Sequence, residues 1–227
     1  MTWADFTKVL CCLLTQSGRG NRVDKNTADS DYADRLEGLT RKKWKVILDV
    51  QRPYRWNVKR LNPGKTLDIG CGVGRHLVNL PHGSVGIDFN EHAVSKARSS
   101  GYDAYTLEDF LADAKYENKE PVFDSILLSH VLEHLTLEES HEALSTYLPY
   151  LKEGGRVIVI CPQEKGYASA PMGDGSGEAH VTFLDSIAIQ KILKNFGLGI
   201  DATYSFPFPR PIGKIFRHNE TVVVGKK

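Results

Sequence analysis

Apolar and polar positions along the chain fall into two rhythms. Up to about residue 60, Phe6, Val9, Leu10, Leu13 and Leu14 recur at three- to four-residue intervals, as do Leu36, Leu39, Trp44, Ile47 and Leu48. That spacing gathers each set on one helical face. Thr15–Ser30, between them, is polar with two glycines and reads as a connector. From Lys65 the pattern changes to short apolar runs alternating with helical stretches, the order that builds a parallel sheet covered on both faces. Strands are expected at Thr66–Ile69, Ser84–Ile87, Asp103–Thr106, Ser125–Leu128 and Arg156–Ile160, and helices at Arg75–Leu80, Glu91–Ser99 and Leu137–Leu151, with a short turn at Phe110–Ala114. Gly154-Gly155 should turn the chain into the fifth strand. A helix over Asp185–Phe196, capped by Asp185 or Ser186, leads to two last strands at Ile200–Ser205 and Glu220–Val224. Seven strands result.

Composition narrows the class. With 227 residues, 41% apolar and 25% charged, the chain is neither disordered nor fibrous. A domain of this size supports its own core without staples. The cysteines, Cys11, Cys12, Cys71 and Cys161, contain no C-x-x-C pair and suit neither a zinc knuckle nor a disulfide framework. The apolar run Val9–Leu14 is too short to span a bilayer. A cytoplasmic protein is expected. The net charge of +1 hides an uneven distribution: Arg35 to Lys65 carries +8 and the rest −7. Such a segment can be a solvated helix face or a footprint for an anionic substrate.

The densest chemistry lies in Thr66-Leu-Asp-Ile-Gly-Cys-Gly-Val-Gly-Arg75, a strand that ends in a glycine turn and opens a helix. Ligands bind at that edge of such a sheet. Asp88, 18 residues beyond Gly70 at the end of the second strand, can accept both hydroxyls of a ribose. A dinucleotide fingerprint spaces its glycines G-x-G-x-x-G, but Arg75 stands where the third should be. The acid Asp68, two residues before the first glycine, would repel a pyrophosphate and attract an ammonium group.

Leu67-Asp-Ile-Gly-Cys-Gly-Val-Gly-Arg-His76, Gly86-Ile-Asp-Phe-Asn90, Phe123-Asp-Ser-Ile-Leu-Leu-Ser-His-Val-Leu-Glu-His-Leu135 and Leu151-Lys-Glu-Gly-Gly-Arg-Val157 together resemble the class I S-adenosylmethionine-dependent methyltransferases. The resemblance is to their small-molecule, type 11-like branch and covers roughly residues 60 to 227. It implies a Rossmann-like, doubly wound, seven-stranded sheet with an antiparallel last strand in a three-layer α/β/α domain over 61–227. Residues 1–60 would form an N-terminal helical extension or lid.

The same resemblance implies roles for individual residues. Asp68, Gly70, Cys71, Gly72 and Gly74 would hold the methionine end of the cofactor, S-adenosyl-L-methionine, and Asp88 its ribose. Either Glu108 or Asp109 would meet the adenine amino group, and Phe89 and Phe110 would sandwich the ring. Ser129 and His130 would sit beside the sulfonium. His130, His134 and His180 are the catalytic candidates. His130, Glu133 and His134 share a face if that segment is a helical turn. Metal-using relatives, among them ubiquinone-biosynthesis O-methyltransferases and small-RNA 2′-O-methyltransferases, carry E-x-x-E-H. Here His130 replaces the first glutamate, and no metal is expected.

The N-terminal helices, Gly166–His180 and the proline-rich Phe206–Gly213 segment should cover the open sheet edge and set specificity. Pro53-Tyr-Arg-Trp-Asn57 either closes over the cofactor or joins helix to core. The expected reaction is methyl transfer to oxygen or nitrogen of a small-molecule acceptor. The alternatives are an RNA or other anionic acceptor using residues 35–65, and a non-catalytic binding module.

Overall fold

The computed structural model describes residues 52–163, 182, 184–209, 212 and 219–227. The two N-terminal helical patterns, the connector between them and the Gly166–His180 segment lie outside the described residues. Four of the described helices start where a short polar side chain can take up free amides. Asn90 accepts from the His92 and Ala93 amides to begin α2 (Glu91–Ser99), and Thr106 accepts from Asp109 to begin α3 (Leu107–Ala112). Thr136 and Glu139 exchange reciprocal bonds at the start of α4 (Leu137–Tyr147). Asp185 accepts from Ile187 and Ala188 at the start of α5 (Ser186–Asn195). Before them all, α1 (Arg52–Arg60) precedes the sheet.

Seven strands form one sheet: β1 (Thr66–Ile69), β2 (Val85–Ile87), β3 (Ala104–Tyr105), β4 (Phe123–Ser129), β5 (Leu151–Pro162), β6 (Gly199–Phe206) and β7 (Glu220–Lys226). Their spatial order is β3-β2-β1-β4-β5-β7-β6, and β7 runs antiparallel to both neighbours. The expected fold is present. Leu67 stands between Val85 and Ile126, which sets the register of the three central strands. One face of the sheet packs against Phe110, Leu144, Ile189 and Leu193 from α3, α4 and α5. The other face meets Val58 of α1 around Leu127, Ile158 and Ile160, and α2 adds Val94 and Ala97. Because β1, β2 and β4 are parallel, their C-terminal ends share one edge. The strand order reverses between β1 and β4, which places a crevice there.

Local differences from the sequence reading have physical causes. The helix expected at Arg75–Leu80 is a single 3-10 turn, Leu77–Asn79, because Leu80 turns extended before Pro81. The turn expected at Phe110–Ala114 begins earlier, since Thr106 caps α3. The helix expected to reach Leu151 ends at Tyr147, where Pro149 enters a 3-10 turn over Leu148–Tyr150. Gly154-Gly155 lies within β5: Leu151 pairs with Phe123 and Arg156 with Ser125, so the extra residues form an irregularity in the ladder. No helix among the described residues is long and apolar enough to cross a membrane.

Candidate active site

The glycine loop leaves β1 with Gly70, Gly72 and Gly74 all at positive φ. A Cβ on Gly70 would lie 2.6 Å from a Val131 methyl, and one on Gly74 would lie 2.5 Å from the Tyr102 ring. Glycine is therefore required at both positions by space as well as by backbone angle. The amides of Gly70 and Cys71 bond to the Ile87 carbonyl at 2.8 and 3.1 Å, which ties the loop to the end of β2. Cys71 is buried in the core, and burial pushes its thiol pKa up, so it acts as a small apolar side chain.

Two aspartates lie beneath the loop. Asp88 accepts from the Gly72 amide through Oδ2 at 2.7 Å and from the Asn90 amide through Oδ1 at 2.9 Å. Asp68 is buried, and neither of its carboxylate oxygens has a hydrogen-bond partner. Burial, then the charge of Asp88, drives its pKa well above the usual carboxylate range. A buried carboxylate without a partner is costly, and a cationic ligand group would relieve it.

Around the nucleoside end the expected residues separate. Phe89 is 47% exposed beside Asp88, an open ring face. Phe110 is fully buried, stacked on Tyr116 at 4.3 Å with Tyr150 edge-on at 5.0 Å. The expected sandwich therefore has one available face, because α3 turns Phe110 into the core. Glu108 and Asp109 both lie exposed in the first turn of α3, and Asp109 pairs with Arg98 at 2.9 Å.

At the tip of β4 a cleft of about 190 Å³ is lined by Tyr54, Arg75, His76, Ser129, His130 and Glu220, among others. His130 has φ +58, in the left-handed region, and its amide bonds to the Ile160 carbonyl at 2.8 Å. This places its ring between two carboxylates: Nε2 is 2.8 Å from Glu220 and Nδ1 is 3.2 Å from Glu133. Burial alone would lower its pKa, but the neighbouring carboxylates of Glu133 and Glu220 prevail and lift it to about 10. His76 behaves in the opposite way. Burial first, then the charges of Arg75 and His130, hold its pKa down at about 3, and its Nε2 lies 3.1 Å from Ser129 Oγ.

His134 ends the 3-10 turn Leu132–His134 and does not line this cleft, and His180 lies outside the described residues. Sequence reasoning missed His76, Arg75 and Glu220 as cleft residues. Arg75 and His76 directly follow the last glycine of the loop, which was the available signal. Glu220 had none, since only the β5–β7 pairing brings it to His130. Tyr54 joins helix to sheet, edge-on to Phe206 at 5.6 Å, and also lines the cleft. Arg60 lies over Trp56 and Tyr204 at 4.8 and 4.6 Å and completes that seam.

Comparison with known proteins agrees with this architecture. A curated relative, a tabtoxin biosynthesis enzyme of Pseudomonas amygdali pv. tabaci, is 28% identical over 161 residues. The match covers 69% of this chain and 62% of that protein, so the chain spans less than two thirds of the relative's length. An S-adenosylmethionine-dependent methyltransferase from Archaeoglobus fulgidus superposes with a TM-score of 0.61 at 20% identity, over 87% of this chain and all of that one. A magnesium protoporphyrin IX methyltransferase from Synechocystis PCC 6803, with bound S-adenosylmethionine, gives 0.53 at 16%, over 92% of this chain and all of that one. These two likenesses are of fold. A family model described as a methyltransferase domain matches residues 47–203, a span that takes in the glycine loop, Asp88 and the tip of β4. The chain therefore belongs to the family of methyltransferase domains.

Proposed function

We propose that the protein transfers a methyl group from S-adenosylmethionine to an oxygen or nitrogen of a small-molecule acceptor. The observation that carries this reading is the polar cleft at the tip of β4 beside the glycine loop, lined by His76, Ser129 and His130 among others. Bound S-adenosylmethionine supplies a methyl group already activated on a sulfonium.

The residues present fit that group. Asp68, with both oxygens unpartnered, would pair with its ammonium end, and the amide-rich glycine loop would let the backbone approach closely. Asp88, fixed at the end of β2 by the Gly72 and Asn90 amides, would accept the ribose hydroxyls. Phe89 would cover one adenine face. Glu108 is the better partner for the adenine amino group, because Asp109 is engaged by Arg98. Ser129 and His130, at the tip of β4, would border both the methyl end and the acceptor. The protein's task is mainly to align the acceptor and exclude water.

The test is to incubate the protein with S-adenosylmethionine carrying an isotope-labelled methyl and with pools of hydroxyl- and amine-bearing small molecules. Mass spectrometry should find a pool member that has gained the labelled methyl. Label that enters only RNA would overturn the small-molecule reading.

A further inference from the structure

An acceptor has to be held in line with the sulfonium, and the charges that line the cleft at the tip of β4 limit what can be held there. Given the methyl-transfer reading, on which this inference rests, we propose that Arg75 grips a carboxylate of the acceptor, so that the substrates are small hydroxy or amino carboxylic acids.

Arg75, His130 and Glu220 are the lining side chains that bear charge, since burial first, then Arg75 and His130, keep His76 neutral. His130 and Glu220 answer each other. Nε2 of His130 lies 2.8 Å from Glu220 Oε1, and a histidine lifted to a pKa of about 10 is a cation at neutral pH. Glu133, 3.2 Å from Nδ1 of the same ring, is buried and does not line the cleft. The charge left over at the cleft surface is that of Arg75. Among the described residues it has neither an ion pair nor a hydrogen bond, yet its charge reaches inward to His76.

A planar guanidinium forks onto both oxygens of a carboxylate. One negative charge matches the one that is left over. A phosphate would bring a second charge to face Glu220, with no further unpaired cation in the lining to meet it. A neutral acceptor would cover Arg75 without pairing it, which costs free energy. The position of Arg75 suits the acceptor instead of the cofactor. Asp68, Gly70, Asp88 and Phe89, the residues assigned to the amino-acid end, sugar and base of S-adenosylmethionine, do not line this cleft, whereas Arg75 shares it with Ser129 and His130.

Paired pools test the assignment: small hydroxy and amino carboxylic acids, and the same molecules as primary carboxamides, each incubated with the full chain and S-adenosylmethionine carrying an isotope-labelled methyl. Mass spectrometry should find the label on acids, with the matching amides slower by about tenfold or more in kcat/KM. The products should resist mild alkali, because the carboxylate stays free. Label released as methanol would make the carboxylate the nucleophile and overturn its role as the handle. In Arg75→Gln, with its fold checked by circular dichroism, kcat/KM for the acid should fall about 10- to 100-fold, mainly through KM, and the preference over the amide should vanish. Arg75→Lys should recover part of it, since the charge returns without the fork. Amides labelled as readily as acids, label only on small molecules that lack a carboxylate, or no labelled acid beside intact binding of S-adenosylhomocysteine would each overturn the proposal and leave the cofactor assignment standing. Loss of about tenfold or more in S-adenosylhomocysteine affinity on Arg75→Gln would also overturn it, by giving Arg75 to the cofactor. S-adenosylhomocysteine that fails to bind the wild-type chain would sink the methyl-transfer reading itself.

Discussion

At the scale of single residues, the site is organised by charges that the fold alone does not balance. Asp68 is buried with both oxygens unpartnered, and its pKa is raised by burial and by Asp88. A carboxyl whose folded pKa is raised contributes stability below its unfolded value of about 3.9, and that contribution is lost as pH rises. At neutral pH Asp68 therefore destabilises the unliganded protein. Asp68→Asn keeps the shape and removes the charge. Thermal unfolding should show the variant melting roughly 2–6 °C higher, while its affinity for S-adenosylhomocysteine falls by about tenfold or more. A lower melting temperature with unchanged affinity would contradict the role given to this carboxylate. Asp68 and Asp88 were legible in the sequence because each lies at a fixed offset from a strand end. The environment of His130 was not, because Glu220 reaches it across 90 residues through strand pairing.

At the scale of elements, caps and prolines decide where helices begin and end. The sequence leaves Asp185 or Ser186 as the cap of α5, and Asp185 is the residue that accepts the free amides of Ile187 and Ala188. Asp185→Ala should cost about 1 kcal/mol, seen in urea unfolding as a lower midpoint with an unchanged slope. No change in the midpoint would show that α5 is held by its apolar face alone, through Ile189, Ile192 and Leu193. Strand positions were read well where buried parallel strands are continuous apolar runs, as in the centre of β4 and the second half of β5. Helix ends were read less well. Leu80 turns extended before Pro81, and Pro149 stops a pattern whose apolar spacing continues to Leu151. Phe110 illustrates the limit of spacing: its place after the third strand suits an adenine contact, yet the turn of α3 buries it against Tyr116.

At the scale of the whole molecule, the sheet order accounts for the site's location. The reversal between β1 and β4 leaves a crevice at the C-terminal strand edge, and the glycine loop, Asp88 and Ser129 all arrive there from different strands. The two sides of the sheet are packed independently, by α3, α4 and α5 on one and by α1 and α2 on the other, so the edge is carried on a rigid support. The central claim is that this edge holds an adenosyl amino acid, gripped at its sugar by Asp88. Calorimetric titration of S-adenosylhomocysteine into the full chain tests it directly, alongside Asp88→Ala with its fold checked by circular dichroism. Micromolar binding, about 8 kcal/mol, is expected for the wild type and none for the folded variant. Equal affinity in the two proteins, or binding of NADH in place of S-adenosylhomocysteine, would contradict the account.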